Sequence, residues 1–128
     1  RELKERKRIV FKNQSAVAVA PFVSREPFQL RVYPLRHRPY FEDTPEKEMN
    51  DIALALRSAL MRIERELHYP DYNFFIHTAP VRGKKNRHHY HWHIEIIPQS
   101  NISAGFELGT GIEINTVDPD EAARILRK

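Results

Sequence analysis

Arg87-His88-His89-Tyr90-His91-Trp92-His93-Ile94-Glu95-Ile96-Ile97-Pro98 is the stretch whose reading decides the fold. Taken as a β-strand, its alternation sends His89, His91, His93 and Glu95 to one face and Tyr90, Trp92, Ile94 and Ile96 to the other. Aromatic and β-branched side chains suit a pleated, half-buried surface, and Pro98, without an N–H to donate, marks the end of the strand. One face is core. The other gathers imidazoles that would repel one another when protonated, so a ligand is expected there. Residues two apart on a strand are roughly 7 Å apart along the backbone, close enough for His91 and His93 to turn onto one metal ion or one phosphate.

Working outward, the flanking chain supplies a sheet and a helix. Ile9-Val10-Phe11 and Ala16 to Ala20 are apolar runs joined by Lys12-Asn13-Gln14-Ser15, which reads as a hairpin. Phe28-Gln29-Leu30-Arg31-Val32-Tyr33 alternates until Pro34 and gives a third strand. Arg36 and His37 follow as a basic pair on a loop. Thr44-Pro45-Glu46 predicts a helix start, with Thr44 as N-cap and Pro45 where a missing N–H costs nothing. Met49, Ile52, Ala53, Leu56, Leu60, Ile63 and Leu67 then recur at helical spacing up to Pro70, which predicts one long amphipathic helix lying on a sheet. Asn73 to Thr78 reads as another strand carrying His77 near its end. The basic segment Val81 to Arg87 joins it to the histidine strand. Asp118-Pro119-Asp120-Glu121 has the pattern of a capping box, Asp118 at N-cap, opening a short final helix with Ala122, Ala123, Ile125 and Leu126 on its apolar face. Strands, helix, strands, helix predicts an α+β domain: an antiparallel sheet with one long helix packed on it and a short C-terminal helix.

Composition narrows the functional classes. The 128 residues, 41% of them hydrophobic, fit a single domain spanning 1–128 with a real core. A net charge of +4 suits a small anionic ligand such as a nucleotide and does not argue for a nucleic-acid track. There is no cysteine, so any metal must be held by His and carboxylate, and the cytoplasm is the expected compartment. No apolar run reaches the roughly 18 residues of a membrane span. The glycines of residues 105–111 lack the spacing and the Lys-Ser/Thr ending of a phosphate-binding loop. Arg1 and the basic residues up to Arg8 read as a solvated helix arriving from an earlier segment, and a start without Met suggests a module excised from a longer protein.

His89-Tyr90-His91-Trp92-His93-Ile94 resembles the alternating motif of the histidine-triad superfamily, and Leu30-Arg31-Val32-Tyr33-Pro34-Leu35-Arg36-His37 resembles its strand-then-Pro-x-Arg-His segment. More narrowly, the chain as a whole resembles the C-terminal half of galactose-1-phosphate uridylyltransferase. The likeness runs through Val19-Ala20-Pro21-Phe22, Tyr72 to Pro80, His91-Trp92-His93-Ile94-Glu95-Ile96, Ala104 to Gly111 and Glu121 to Arg127.

That resemblance implies a histidine-triad-like domain from an enzyme of galactose metabolism that moves a uridylyl group between hexose 1-phosphates through a uridylylated histidine. The family's nucleophile lies in a His-Pro-His-Gly-Gln motif of the N-terminal half, which this chain lacks, so no catalytic residue is expected here. His77, His91 and His93 match the family's metal ligands, completed by a Glu from the first half. Phe106, Glu107, Gly109, Thr110 and Gly111 match contacts to a sugar nucleotide held by a partner subunit of a homodimer. The implied partners are a UDP-sugar, a hexose 1-phosphate and the missing N-terminal half. Neutral imidazoles suit Zn or Fe(II), and because structural zinc usually takes four protein ligands, the fourth is either absent from the chain or is Glu95.

Two other functions fit parts of the pattern. A free-standing histidine-triad hydrolase would use His91 as nucleophile, with His93 or His89 stabilising charge; Phe28, Gln29, Trp92 and Glu95 depart from that superfamily's pattern. A metal-braced binding or dimerisation module would need no nucleophile at all.

Overall fold

The computed structural model describes residues 6–21, 27–68, 70–79, 91–99 and 117–128. His89, the segment 81–87 and the proposed sugar-nucleotide contacts Phe106, Glu107, Gly109, Thr110 and Gly111 lie outside the described residues.

Five antiparallel strands form one sheet: β1 (Ile9–Lys12), β2 (Ala16–Val19), β3 (Leu30–Pro34), β4 (Tyr72–His77) and β5 (His93–Pro98), in the order β1-β2-β3-β5-β4. The hairpin forms where Asn and Ser predict it. The Asn13 side chain accepts from the backbone N–H groups of Ser15 and Ala16 at 3.1 and 2.9 Å, closing the turn. Ser15 and Asn13 then bond to Asp51 of the long helix, fixing the hairpin to it.

That helix, α1, spans Glu46–Leu67, and His68 ends it in the left-handed conformation at φ 57°. Its buried stripe is Ile52, Ala55, Ala59 and Ile63. Ala53, expected in the stripe, is exposed; small Ala55 and Ala59 face the sheet instead and allow close approach of the backbone. The N-terminus also differs from expectation. Thr44 is not the N-cap: Pro45 occupies that position with no side-chain cap, and the Thr44 hydroxyl accepts the indole N–H of Trp92 at 2.9 Å. The side chain most suited to capping is taken by the core.

The short helix α2 (Pro119–Arg127) does start at Asp118, whose carboxylate accepts from the Asp120 N–H. The reciprocal half of a capping box is absent, since both oxygens of Glu121 are engaged by Arg124. Ala122, Ala123 and Leu126 are buried, as expected of its apolar face. Of the basic start, residues 1–5 lie outside the described residues; Arg6–Arg8 is a 3-10 turn, Lys7 is exposed, and Arg8 is buried with a guanidinium nitrogen 3.8 Å from Asp120.

Val10, Ala16, Ala18, Leu30, Val32, Trp92, Ile94 and Ile96 from the sheet side meet Ile52, Ala55, Ala59, Ile63, Ala123 and Leu126 from the helices in one apolar core. Burial of each large aliphatic side chain there contributes about 1.5–3 kcal/mol. Both helices therefore occupy one face of the sheet. β4 is an edge strand with Phe74, Phe75 and Ile76 each about half exposed. Among the described residues no helix is long and apolar enough to cross a membrane.

Candidate metal centre

The face of the sheet away from the helices carries the chemistry, and strand register assembles it. β4 and β5 pair His77 with His93 and Phe75 with Glu95, while β3 and β5 pair Arg31 with Glu95. Alternation along β5 keeps His93 and Glu95 on the same face while Trp92, Ile94 and Ile96 are buried on the other. Directly opposed and next-but-one residues thus bring His77, His93 and Glu95 together. One donor atom from each lies within 4.8 Å of the other two, a set able to hold a metal ion.

The donors are arranged for a ligand. His93 Nδ1 lies 3.3 Å from the backbone oxygen of His91, a contact that holds a proton on Nδ1 and leaves the Nε2 lone pair available. His77 Nε2 is 2.9 Å from Glu95 Oε2, within ion-pair range. That approach does not follow the N–H direction of the ring: Nε2 is a buried atom with no hydrogen-bond partner among the described residues, although the side chain is 41% exposed. Proximity without a hydrogen bond is what two ligands of a shared cation would show. The two imidazoles stack, with centroids 4.9 Å apart and planes inclined by 21°. Orphaned Nε2, the freed lone pair of His93 and an adjacent carboxylate are a donor set that could hold a metal ion.

Charge at the site is set by burial and by Arg31. Burial works to raise the Glu95 carboxyl, but it is outweighed by Arg31, whose charge and hydrogen bond, helped by His77 and His93, hold Glu95 below the usual carboxylate range. Burial pushes His93 down, with Arg31 and His77 acting in the same direction against the His91 carbonyl and Glu95. His91 is likewise pushed down by burial, and further by His37, against the Pro34 carbonyl. Neutral imidazoles are the state a metal requires.

The same shifts govern the metal-free chain. Because the folded values of His91 and His93 lie below the unfolded value near 6.5, the unfolded state binds more protons in the window just below that value. Stability is full above about pH 6.5 and falls as the pH drops towards the folded values. Urea midpoints measured from pH 7.5 to 5.5 without metal are expected to decline, and the decline should shrink in a His91→Gln/His93→Gln variant. A flat profile would contradict this assignment.

His91 stands apart from the other two expected ligands. It precedes the first paired residue of β5, where the chain bends towards the segment after β3: Trp92 N–H donates to the Arg38 carbonyl, and His91 Nε2 lies 2.7 Å from the Pro34 oxygen. Its ring neighbours are Tyr33 and His37, at 5.3 Å each. His37 is exposed, as a basic pair on a loop would be. The structure therefore joins Glu95 to His77 and His93.

Sequence reasoning missed the residues behind Glu95. Gln29 and Arg31 both donate to Glu95 Oε1, at 2.6 and 3.1 Å. The signal was present in the alternation of 28–33, which puts Gln29, Arg31 and Tyr33 on one face, but which strand lies beside β5 is not a local property.

Comparisons with known proteins identify the family and the fold of the chain. The family model for the galactose-1-phosphate uridyl transferase C-terminal domain matches residues 1–118. An ADP-glucose phosphorylase from Arabidopsis thaliana is 33% identical over 99% of the chain, and its crystal structure with bound ADP-glucose superposes with a TM-score of 0.82 at 32% identity. A galactose-1-phosphate uridylyltransferase from Thermotoga maritima is 30% identical over 99% of the chain. The chain spans only 36% and 42% of the lengths of these two curated relatives. A Hit-like protein from Bartonella henselae shares the fold alone, with a TM-score of 0.66 at 15% identity over 93% of the chain and 83% of that structure.

Proposed function

The chain belongs to the galactose-1-phosphate uridyl transferase C-terminal domain family, and from that premise we propose that it is the metal-bearing module of a nucleotide-sugar transferase whose nucleophilic histidine lies in sequence outside these 128 residues. The observation that carries the reading is the convergence of His77, His93 and Glu95 on a chain that lacks a His-Pro-His-Gly-Gln motif.

In this reading His77, His93 and Glu95 hold Zn or Fe(II), which serves to fix strand β4 against β5 and to brace this half against its partner half. The metal supplies rigidity there, and the covalent chemistry belongs to a histidine elsewhere. Glu95 takes the place of an oxygen ligand from the other half, or shares the site with it. The half-exposed Phe74, Phe75 and Ile76 of edge strand β4 offer an apolar border beside the site where that other half can pack. A UDP-sugar and a hexose 1-phosphate are the assigned substrates, with Phe106, Glu107, Gly109, Thr110 and Gly111 as sugar-nucleotide contacts. The enzyme is assigned to the cytoplasm as a homodimer.

The test is incorporation of label. The purified chain incubated with UDP-glucose or ADP-glucose labelled in the α-phosphate is expected to form no acid-labile nucleotidyl-histidine. Mixing with a separately expressed N-terminal half should restore the adduct on that half. A stable adduct on the isolated chain would overturn the assignment.

A further inference from the structure

We propose that Tyr33 is a positioning residue of the metal centre: its ring packs against the imidazoles of both His91 and His93 and fixes the plane in which His93 presents Nε2. The role rests on the metal reading above, and within it only on His93 as a ligand. The register of β3 and β5 pairs Val32 with Ile94, so one step along the ladder Tyr33 stands across from His93, on the face of the sheet away from the helices. The two ring centroids are 5.1 Å apart and the planes are inclined by 40°. Towards β4, His93 stacks on His77 at 4.9 Å. The imidazole is thus held between two rings, one from each neighbouring strand.

Such packing is needed because the strand alone does not set the ring plane. The outer torsion of a histidine is broad and lacks sharp staggered wells. The contact of His93 Nδ1 with the His91 carbonyl is long, at 3.3 Å; it selects the nitrogen that keeps its proton but leaves the ring room to rock. Tilted aromatic pairs with centroids about 4.5–7 Å apart attract one another, and they oppose that motion. Tyr33 links two histidines in this way, since His91 lies 5.3 Å from the same ring at 53°. Its hydroxyl accepts from Arg31 Nη1 at 3.4 Å, a long hydrogen bond, so the ring and not the hydroxyl carries the role. Residues that orient ligands commonly change metal affinity by about 10–100-fold.

The test uses the full chain and metal alone, with Zn(II) affinity from competition titration and the absorption spectrum at saturating Co(II) as a report on ligand geometry. Tyr33→Leu, which removes the ring, is expected to weaken Zn(II) binding about tenfold or more and to change the Co(II) spectrum. Tyr33→Phe, which keeps the ring and gives up the hydroxyl, should restore both to nearly the wild-type result. In the unaltered chain the Tyr33 ring resonances should shift when Zn(II) is added and should keep their nuclear Overhauser contacts with the His93 ring, a measurement that requires no variant to fold. Wild-type affinity and spectrum in Tyr33→Leu, or a Tyr33→Phe variant as impaired as Tyr33→Leu, would overturn the proposal while leaving the metal site intact. So would weaker binding with an unchanged saturated spectrum, the mark of a merely structural residue, or loss of the ring contacts in the zinc-loaded chain. If the unaltered chain binds no metal, or binds it equally after His93→Ala, the metal reading fails and the positioning role goes with it.

Discussion

Replacing Trp92 by Ala is expected to lower the unfolding free energy by about 3–5 kcal/mol, the largest stability loss of any single substitution in the described core. Trp92 is fully buried, its ring meets Phe41 edge-on at 5.0 Å, and its indole N–H is satisfied by Thr44. It packs where β5 begins and α1 starts, so the substitution leaves a cavity and also frees the Thr44 hydroxyl. A domain of this size typically has about 5–15 kcal/mol in total, so much of the folded population would be lost. Two further variants separate the contributions. Trp92→Phe retains most of the apolar volume and gives up the hydrogen bond, for a smaller loss. Thr44→Val leaves the indole N–H buried without a partner, which costs about 1–3 kcal/mol. Urea titrations with unchanged slope would give these differences directly from the midpoints. A Trp92→Ala loss below about 1 kcal/mol would show that this contact does not organise the domain.

His77→Ala is expected to reduce Zn(II) affinity by more than the roughly 10–100-fold typical of residues that only support a ligand. The reason is geometric. Among the described residues, His77 is the sole contribution of β4 to the cluster, paired across from His93, and its Nε2 is a buried atom without a hydrogen bond. His91→Ala should have a much smaller effect, since His91 Nε2 is engaged with the Pro34 oxygen and the ring lies outside the cluster. The ordering of the two variants is the informative result: equal losses would return His91 to the ligand set.

The histidine strand makes most of the fold legible from sequence. Its alternation correctly separated Trp92, Ile94 and Ile96 from His93 and Glu95, because a period of two follows from backbone geometry and not from context. The long helix was equally clear from its spacing. What local pattern could not supply was competition between distant groups. Thr44 has the sequence surroundings of an N-cap, yet its hydroxyl is claimed by an indole 48 residues away in sequence. Ala55 and Ala59 look unremarkable beside leucines, but close packing of α1 on the sheet selects small residues for the contact line. The site divides in the same way. His77, His91 and His93 are the ligands the sequence suggests, with Glu95 as a candidate fourth, whereas the contacts of Gln29 and Arg31 with Glu95 depend on β3 lying beside β5, a pairing between residues more than sixty positions apart.

Anomalous diffraction from crystals of the chain grown with Zn(II) tests the central claim most directly. The expected result is a single strong peak bounded by His77 Nε2, His93 Nε2 and Glu95 Oε2, with Gln29 and Arg31 still on Oε1. A peak coordinated by His91 in place of Glu95, or no peak on this face of the sheet at saturating metal, would contradict it.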